Sequence, residues 1–208
     1  MRNLIVALLI VLMTVSMSIA QTQFGATLGL NMGSFSSSNG TSETTDTKIG
    51  FGIGGVVSFP LNKMMDLKTG AVLLQKGGKE TEDFLGTTIE SSIDMMILTI
   101  PIFISYNLSE GDAKPYVFGG PEIGLLLKSE VSASFEDEVD ITFDTKDSTA
   151  TIELAFSIGA GYSMLVADMP AFVDVRYSLG LSNLDDSSSS SDFSLKSRGI
   201  QIFAGVYF

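Results

Sequence analysis

The chain has 208 residues, 24 acidic against 12 basic, a net charge of −12, and neither cysteine nor histidine. That balance excludes a nucleic-acid-binding surface, which requires basic patches. The missing cysteines exclude a disulfide framework and a soft metal centre.

Met1-Arg2-Asn3 is a short positive start, and a continuous apolar run follows from Leu4 to Val15. Ser18-Ile19-Ala20 then sets small residues three before and one before a cut ahead of Gln21. This is the layout of a secretory signal peptide over residues 1–20. The apolar run is shorter than the roughly 20 residues that a membrane-spanning helix needs. No cysteine follows Ala20, so lipid attachment there is not expected. Residues 21–208 are enough for one domain.

From residue 23 onward the chain alternates apolar and polar with period two, the mark of strands. Over 23–32 the apolar face is Phe24, Ala26, Leu28, Leu30 and Met32. Over 48–59 it is Ile49, Phe51, Ile53, Val57 and Phe59, opposite glycines, Lys48 and Ser58. Segments 65–76, 92–106 and 114–127 are strand-like but noisier; Met95–Ile104 is apolar on both faces, so its phase stays ambiguous. Gly119-Gly120-Pro121 is the expected place for a bulge. Over 151–164 the apolar face runs from Ile152 through Phe156 and Ile158 to Met164. Over 171–182 it is Val173, Val175, Tyr177, Leu179 and Leu181, and over 197–208 it is Ile200, Ile202, Ala204, Val206 and Phe208. The total is eight strands.

Long polar connections are expected at 33–47, 77–88, 128–150 and 184–196. Short ones are expected near 60–64, 107–113 and 165–170, where Pro60, Asn107, Gly111 and Pro170 signal turns. Short turns alternating with long loops fit an outer-membrane barrel with both termini periplasmic and the long loops extracellular. A soluble barrel or sandwich would need a charged face toward water, about 25–35% of such a surface. Here the face opposite the apolar one is mostly Gly, Ser, Thr, Ala, Asn and Gln. Small residues suit the interior of a narrow barrel. The fold expected is therefore all-β: a closed, eight-stranded antiparallel transmembrane β-barrel meeting outer-membrane lipids, with strand 197–208 paired to strand 23–32. Closure follows because an open edge leaves unpaired backbone groups in lipid.

Aromatic Phe208 ends the last strand, and its form resembles the signal that the barrel-assembly machinery recognises. The segments GATLGLN (Gly25–Asn31), LTIPIFISY (Leu98–Tyr106), PYVFGGPEIGLLL (Pro115–Leu127) and VRYSLGL (Val175–Leu181), with the closing strand, resemble the PorT-like outer-membrane β-barrel proteins of Bacteroidetes. That resemblance implies an eight-stranded barrel in a Gram-negative outer membrane. Some members of that family are associated with protein secretion. The matching residues are strand residues, so the resemblance transfers architecture and not the secretion role.

No histidine is present to act as a general base near neutral pH, and no catalytic residue or cofactor is expected. The acids Glu136-Asp137-Glu138 belong to segment 128–150, whose seven acids outnumber its two lysines. Their spacing is not that of an ordered cation site, so solvation is the expected state. The run Ser187–Ser191 reads as a flexible tip. Within 128–150, Val131, Ala133 and Phe135 alternate with polar residues, as do Val139, Ile141 and Phe143. The segment is expected to be a protruding hairpin with one apolar stripe, suited to an extracellular or secretion partner.

The inward face carries Asp66, Lys68, Glu153, Asp174 and Arg176, and also Glu122 if the register survives residues 119–121. Charges in a filled lumen must be paired. Arg176 is expected to lie opposite Gly159 and to reach an inward acid, Glu122 first and Asp66 second. The sequence therefore points to a non-enzymatic barrel with a side-chain-filled lumen and a surface-interaction or envelope-structural role. The alternative is a transport component, either a narrow pore or an accessory of a secretion system.

Overall fold

The computed structural model describes residues 22–38, 42–84, 87–111, 113–135, 139–185 and 194–208. The expected signal peptide, the acidic tip Glu136–Glu138 and the serine run Ser187–Ser191 lie outside the described residues. The strands are β1 (Gln23–Ser38), β2 (Ser42–Thr44), β3 (Asp46–Pro60), β4 (Met65–Phe84) and β5 (Thr87–Asn107). They continue as β6 (Lys114–Phe135), β7 (Val139–Asp144), β8 (Ile152–Val166), β9 (Met169–Gly180) and β10 (Ser194–Tyr207).

Eight of them form a closed antiparallel barrel in the order β10-β9-β8-β6-β5-β4-β3-β1, and β10 pairs back onto β1. The closing seam runs from Gly25↔Tyr207 to Ser38↔Ser194, as the lipid environment of an unpaired edge demands. The large apolar side chains point outward and remain exposed: Leu28 at 67%, Phe51 at 66% and Ile158 at 64%. In water such a continuous band would be a liability; in lipid it is the stable face. The ambiguous stretch of β5 resolves with Met95, Ile97 and Phe103 buried inside and Met96, Ile100, Ile102 and Ile104 outside.

Three features depart from the sequence expectations. First, much of the polar 33–47 and 77–88 segments is strand: β1 runs to Ser38, and the β4–β5 ladder continues to Phe84↔Thr87. Ladder hydrogen bonds need no apolar face, so the strands persist where the apolar alternation of their sequence fades. Second, no register shift falls at Gly119-Gly120-Pro121, where Glu122↔Ala155 and Gly119↔Ile158 keep one register. Gly120 instead permits close approach: a Cβ there would collide with the Ile102 carbonyl. The bulge lies nearer the loops, where Met96 pairs with Lys128 but Ile97 with Leu126, leaving Leu127 as the extra residue. Third, the interior holds aromatics as well as small residues: Phe103, Tyr116, Phe118, Phe172, Phe203 and Tyr207 are all buried.

The bulge has a structural effect. Before it the buried side chains of β6 are even-numbered (Tyr116, Phe118, Glu122, Leu126); after it Ser129 is buried. Val131 and Ala133 therefore turn to the inner side of the barrel wall.

Candidate functional site: the barrel lumen

The lumen is built in layers, and its charged members occupy inward positions because a lipid-facing charge at mid-membrane costs about 2–4 kcal/mol. At the end bearing the β6–β7 hairpin, an apolar cluster of Phe35, Met95, Ile97, Leu126 and Leu184 fills the mouth, with Ile93 and Leu195 packed on it. Below it, Lys76 of β4 donates from Nζ to both carboxylate oxygens of Glu153 of β8, at 2.9 and 2.8 Å. Ser197 donates its hydroxyl to the same carboxylate and accepts from Lys76 at 3.3 Å.

The next layer gathers around Arg176. Its Nε donates to Gln201 Oε1 at 2.7 Å and stands 3.8 Å from Glu122 Oε1. Ser178 donates to the other Glu122 oxygen at 3.0 Å. The separation of 3.8 Å exceeds a hydrogen bond, and Glu122 Oε1 has no direct donor among the described residues. The guanidinium carbon also lies 4.4 Å from the Phe203 ring centroid and 5.3 Å from that of Phe103. Cation–π attraction thus supplements the ion pair. Arg176 lies opposite Gly159 in the β8–β9 ladder.

Toward the short turns, Phe103, Phe118 and Tyr116 pack as one aromatic cluster. The Tyr116 hydroxyl donates to Asp174 at 3.3 Å, and Lys68 Nζ sits 3.4 Å from the centroid of the Tyr116 ring. Asp66 accepts from Asn107 Nδ2 at 2.9 Å and is not the partner of Arg176. Sequence reasoning missed Lys76, Gln201 and Tyr116. Lys76 was legible in principle, because it shares the parity of Asp66 and Lys68 on one strand.

The outer membrane protein beta-barrel domain family matches the chain over residues 19–186. The chain belongs to this outer-membrane β-barrel family. Its membership places the barrel in the outer membrane with its apolar wall in lipid. No curated protein sequence matches the chain. Among solved structures it is similar to Ail, the attachment invasion locus protein of Yersinia pestis, at 14% identity and TM-score 0.47, covering 89% of this chain and 98% of that one. It is similar also to Neisserial surface protein A at 11% identity and TM-score 0.48, covering 89% and 97%. A third is OprG of Pseudomonas aeruginosa, at 12% identity and TM-score 0.46, covering 89% and 95%.

In this outer-membrane barrel the remaining candidate residues are at the ends of the strands. Val131 pairs with Phe143 and Ala133 with Ile141, so these four share one face of the β6–β7 hairpin. Ile93 pairs with Val131 on the other flank and extends that face across β5. Ile141 is 40% and Phe143 59% exposed. The opposite face is polar, with Ser132 and Thr142 hydroxyls 3.1 Å apart. Phe135 pairs with Val139 in the backbone ladder; their side chains lie outside the described residues. At the chain end, the Phe208 amide donates to the Phe24 carbonyl at 2.8 Å, while the Phe208 ring is exposed.

Proposed function

We propose that this protein is a non-enzymatic, PorT-like barrel whose body is a closed scaffold in the outer membrane and whose hairpin meets a protein partner outside it. The observation that carries the scaffold reading is the series of occupied layers across the lumen. The apolar cluster around Phe35, the Lys76–Glu153 pair and the Arg176–Gln201–Glu122 group lie one below another. An open aqueous pore would leave such charges solvated instead of engaged with each other. The absence of histidine and the engagement of the buried acids with neighbouring side chains support the non-enzymatic reading. Ile141 and Phe143, the exposed members of the apolar row shared with Val131 and Ala133, support the partner reading, because exposed apolar side chains that cluster mark interaction surfaces. In this orientation both termini are periplasmic, and Phe208 serves the assembly machinery.

Planar bilayers test the scaffold. The purified barrel should give no steady single-channel conductance. Steady, reproducible conductance steps would replace the scaffold with a pore. For the hairpin, Ile141→Ser with Phe143→Ser should abolish co-purification of whatever partner wild-type outer-membrane fractions yield, with the barrel still folded.

A further inference from the structure

β10 closes the barrel on β1 in one register, and side-chain alternation alone does not select it. A slip of one residue would turn the apolar face of β10 inward, but a slip of two returns every side chain to its own face. Lipid then meets the same apolar band. No hairpin joins these two strands, so no turn fixes their register either. The inner face of the seam is what remains to distinguish the native register from its neighbours two residues away.

On that inner face β1 alternates glycine with larger residues: Gly25, Thr27, Gly29, Asn31. Gly25 and Gly29 stand four residues apart, as do the buried rings of Phe203 and Tyr207 on β10. In the closed barrel each ring is paired with a glycine, Phe203 with Gly29 and Tyr207 with Gly25. A Cβ on Gly29 would lie 2.5 Å from Phe203 Cδ1, and one on Gly25 would lie 2.9 Å from Tyr207 Cδ1. Each ring therefore fills the volume that a side chain would need. The Phe203 ring reaches one strand further. Gly29 pairs with Gly52 of β3, and a Cβ on Gly52 would lie 2.9 Å from Phe203 Cε1. Three other inward rings keep the relation: Phe172 pairs with Gly205, Tyr116 with Gly161 and Phe118 with Gly159. The three ladders that hold these five pairs run without a register shift. The shifts between Thr47 and Gly52 and between Met96 and Ile97 fall in other ladders.

We propose that Phe203 and Tyr207 are the register keys of barrel closure, and that Gly29, Gly52 and Gly25 are the slots that receive them. A slip of two residues in one direction sets Phe203 against Thr27 and Tyr207 against Gln23; in the other it sets them against Asn31 and Thr27. Either slip drives both rings onto side chains and leaves the glycine slots empty, so overpacking and voids oppose it together. A slip of four toward the loops would bring Phe203 to Gly33 and Tyr207 to Gly29, but it leaves Gly25 to Thr27 without ladder partners in lipid. The opposite slip of four carries Tyr207 past the start of β1. This role of the seam is independent of the lumen being closed and of any partner at the hairpin.

The chain has no cysteine, so two introduced cysteines report the register by disulfide formation. Leu28→Cys is combined with Ala204→Cys, its native partner, and separately with Ile202→Cys or Val206→Cys, its partners after a slip of two in either direction. A disulfide needs Cβ atoms about 3.5–4.5 Å apart, which directly opposed residues offer and diagonal ones do not. The full mature chain is refolded into lipid vesicles, oxidised and read by gel mobility. With both rings present, only the native pair should close. With Phe203→Ala and Tyr207→Ala added, closure of a slipped pair should rise several-fold at the native pair's expense. Met95→Ala, which removes a buried side chain from the mouth instead, should lower stability without slippage. Exclusive native closure in a folded barrel that lacks both rings overturns the proposal. So does equal slippage in Met95→Ala, which would trace register to stability in general. If loss of both rings prevents folding, Phe203→Leu keeps apolar volume but withdraws the ring from Gly52, and native-only closure there overturns the proposal as well.

Discussion

Lys76 and Glu153 meet across the lumen from strands three places apart in the barrel, with both carboxylate oxygens within 2.9 Å of the ammonium. Their side chains are 6% and 3% exposed. Breaking such a pair leaves a bare buried charge, at a cost of about 3–5 kcal/mol, whereas removing both partners is far cheaper. Lys76→Met and Glu153→Leu should each destabilise the barrel on that scale in urea unfolding from lipid vesicles. The double variant should recover most of the loss. Additive losses in the double variant would show that the pair is not coupled.

Gly159 stands opposite Arg176, and a Cβ there would lie 2.6 Å from Phe118 Cζ and 2.8 Å from Arg176 Cβ. Gly159→Val should therefore cost about 1–3 kcal/mol through overpacking. The same unfolding measurement reports it. A neutral result would show that the Phe118 ring and the β9 backbone at Val175 both yield to the added side chain.

The lipid face can be probed by moving one charge. Ile158, near the middle of β8, is 64% exposed and points outward. Ile158→Arg should cost about 2–4 kcal/mol at that depth. Ser132→Arg, on the polar face of the hairpin, should stay within about 0.5 kcal/mol. Equal costs at the two sites would contradict a membrane band that ends below the hairpin.

Phe208 offers a separation of folding from assembly. Its ring is 82% exposed, and its one described hydrogen bond is made by its amide, which any residue can supply. Phe208→Ala should leave the stability of refolded barrel within about 0.5 kcal/mol of wild type. It should lower the amount reaching the outer membrane in cells several-fold. Unchanged membrane levels would remove the assembly role from this residue.

Which strands exist, and which of their faces meets lipid, is legible along the chain for β1, β3, β8, β9 and β10. Alternation of side chains is a local property with a period of two residues, and each strand carries its own record of it. The even strand count and the need to pair both edges then make closure of β10 on β1 a consequence of the lipid environment. Arg176 facing inward opposite Gly159 follows from the same parity and a tight turn at Ala167-Asp168. Only the tertiary structure decides the rest. The phase of Met95–Ile104 depends on its neighbours, since both of its faces are apolar. The bulge at Leu127 falls where β6 leaves its ladder with β8 and takes up its ladder with β7, and it turns Val131 inward. Lys76 finds Glu153, and Arg176 finds Gln201 as well as Glu122, because partners across a lumen are chosen by the stagger of the whole barrel. No window of sequence contains that quantity.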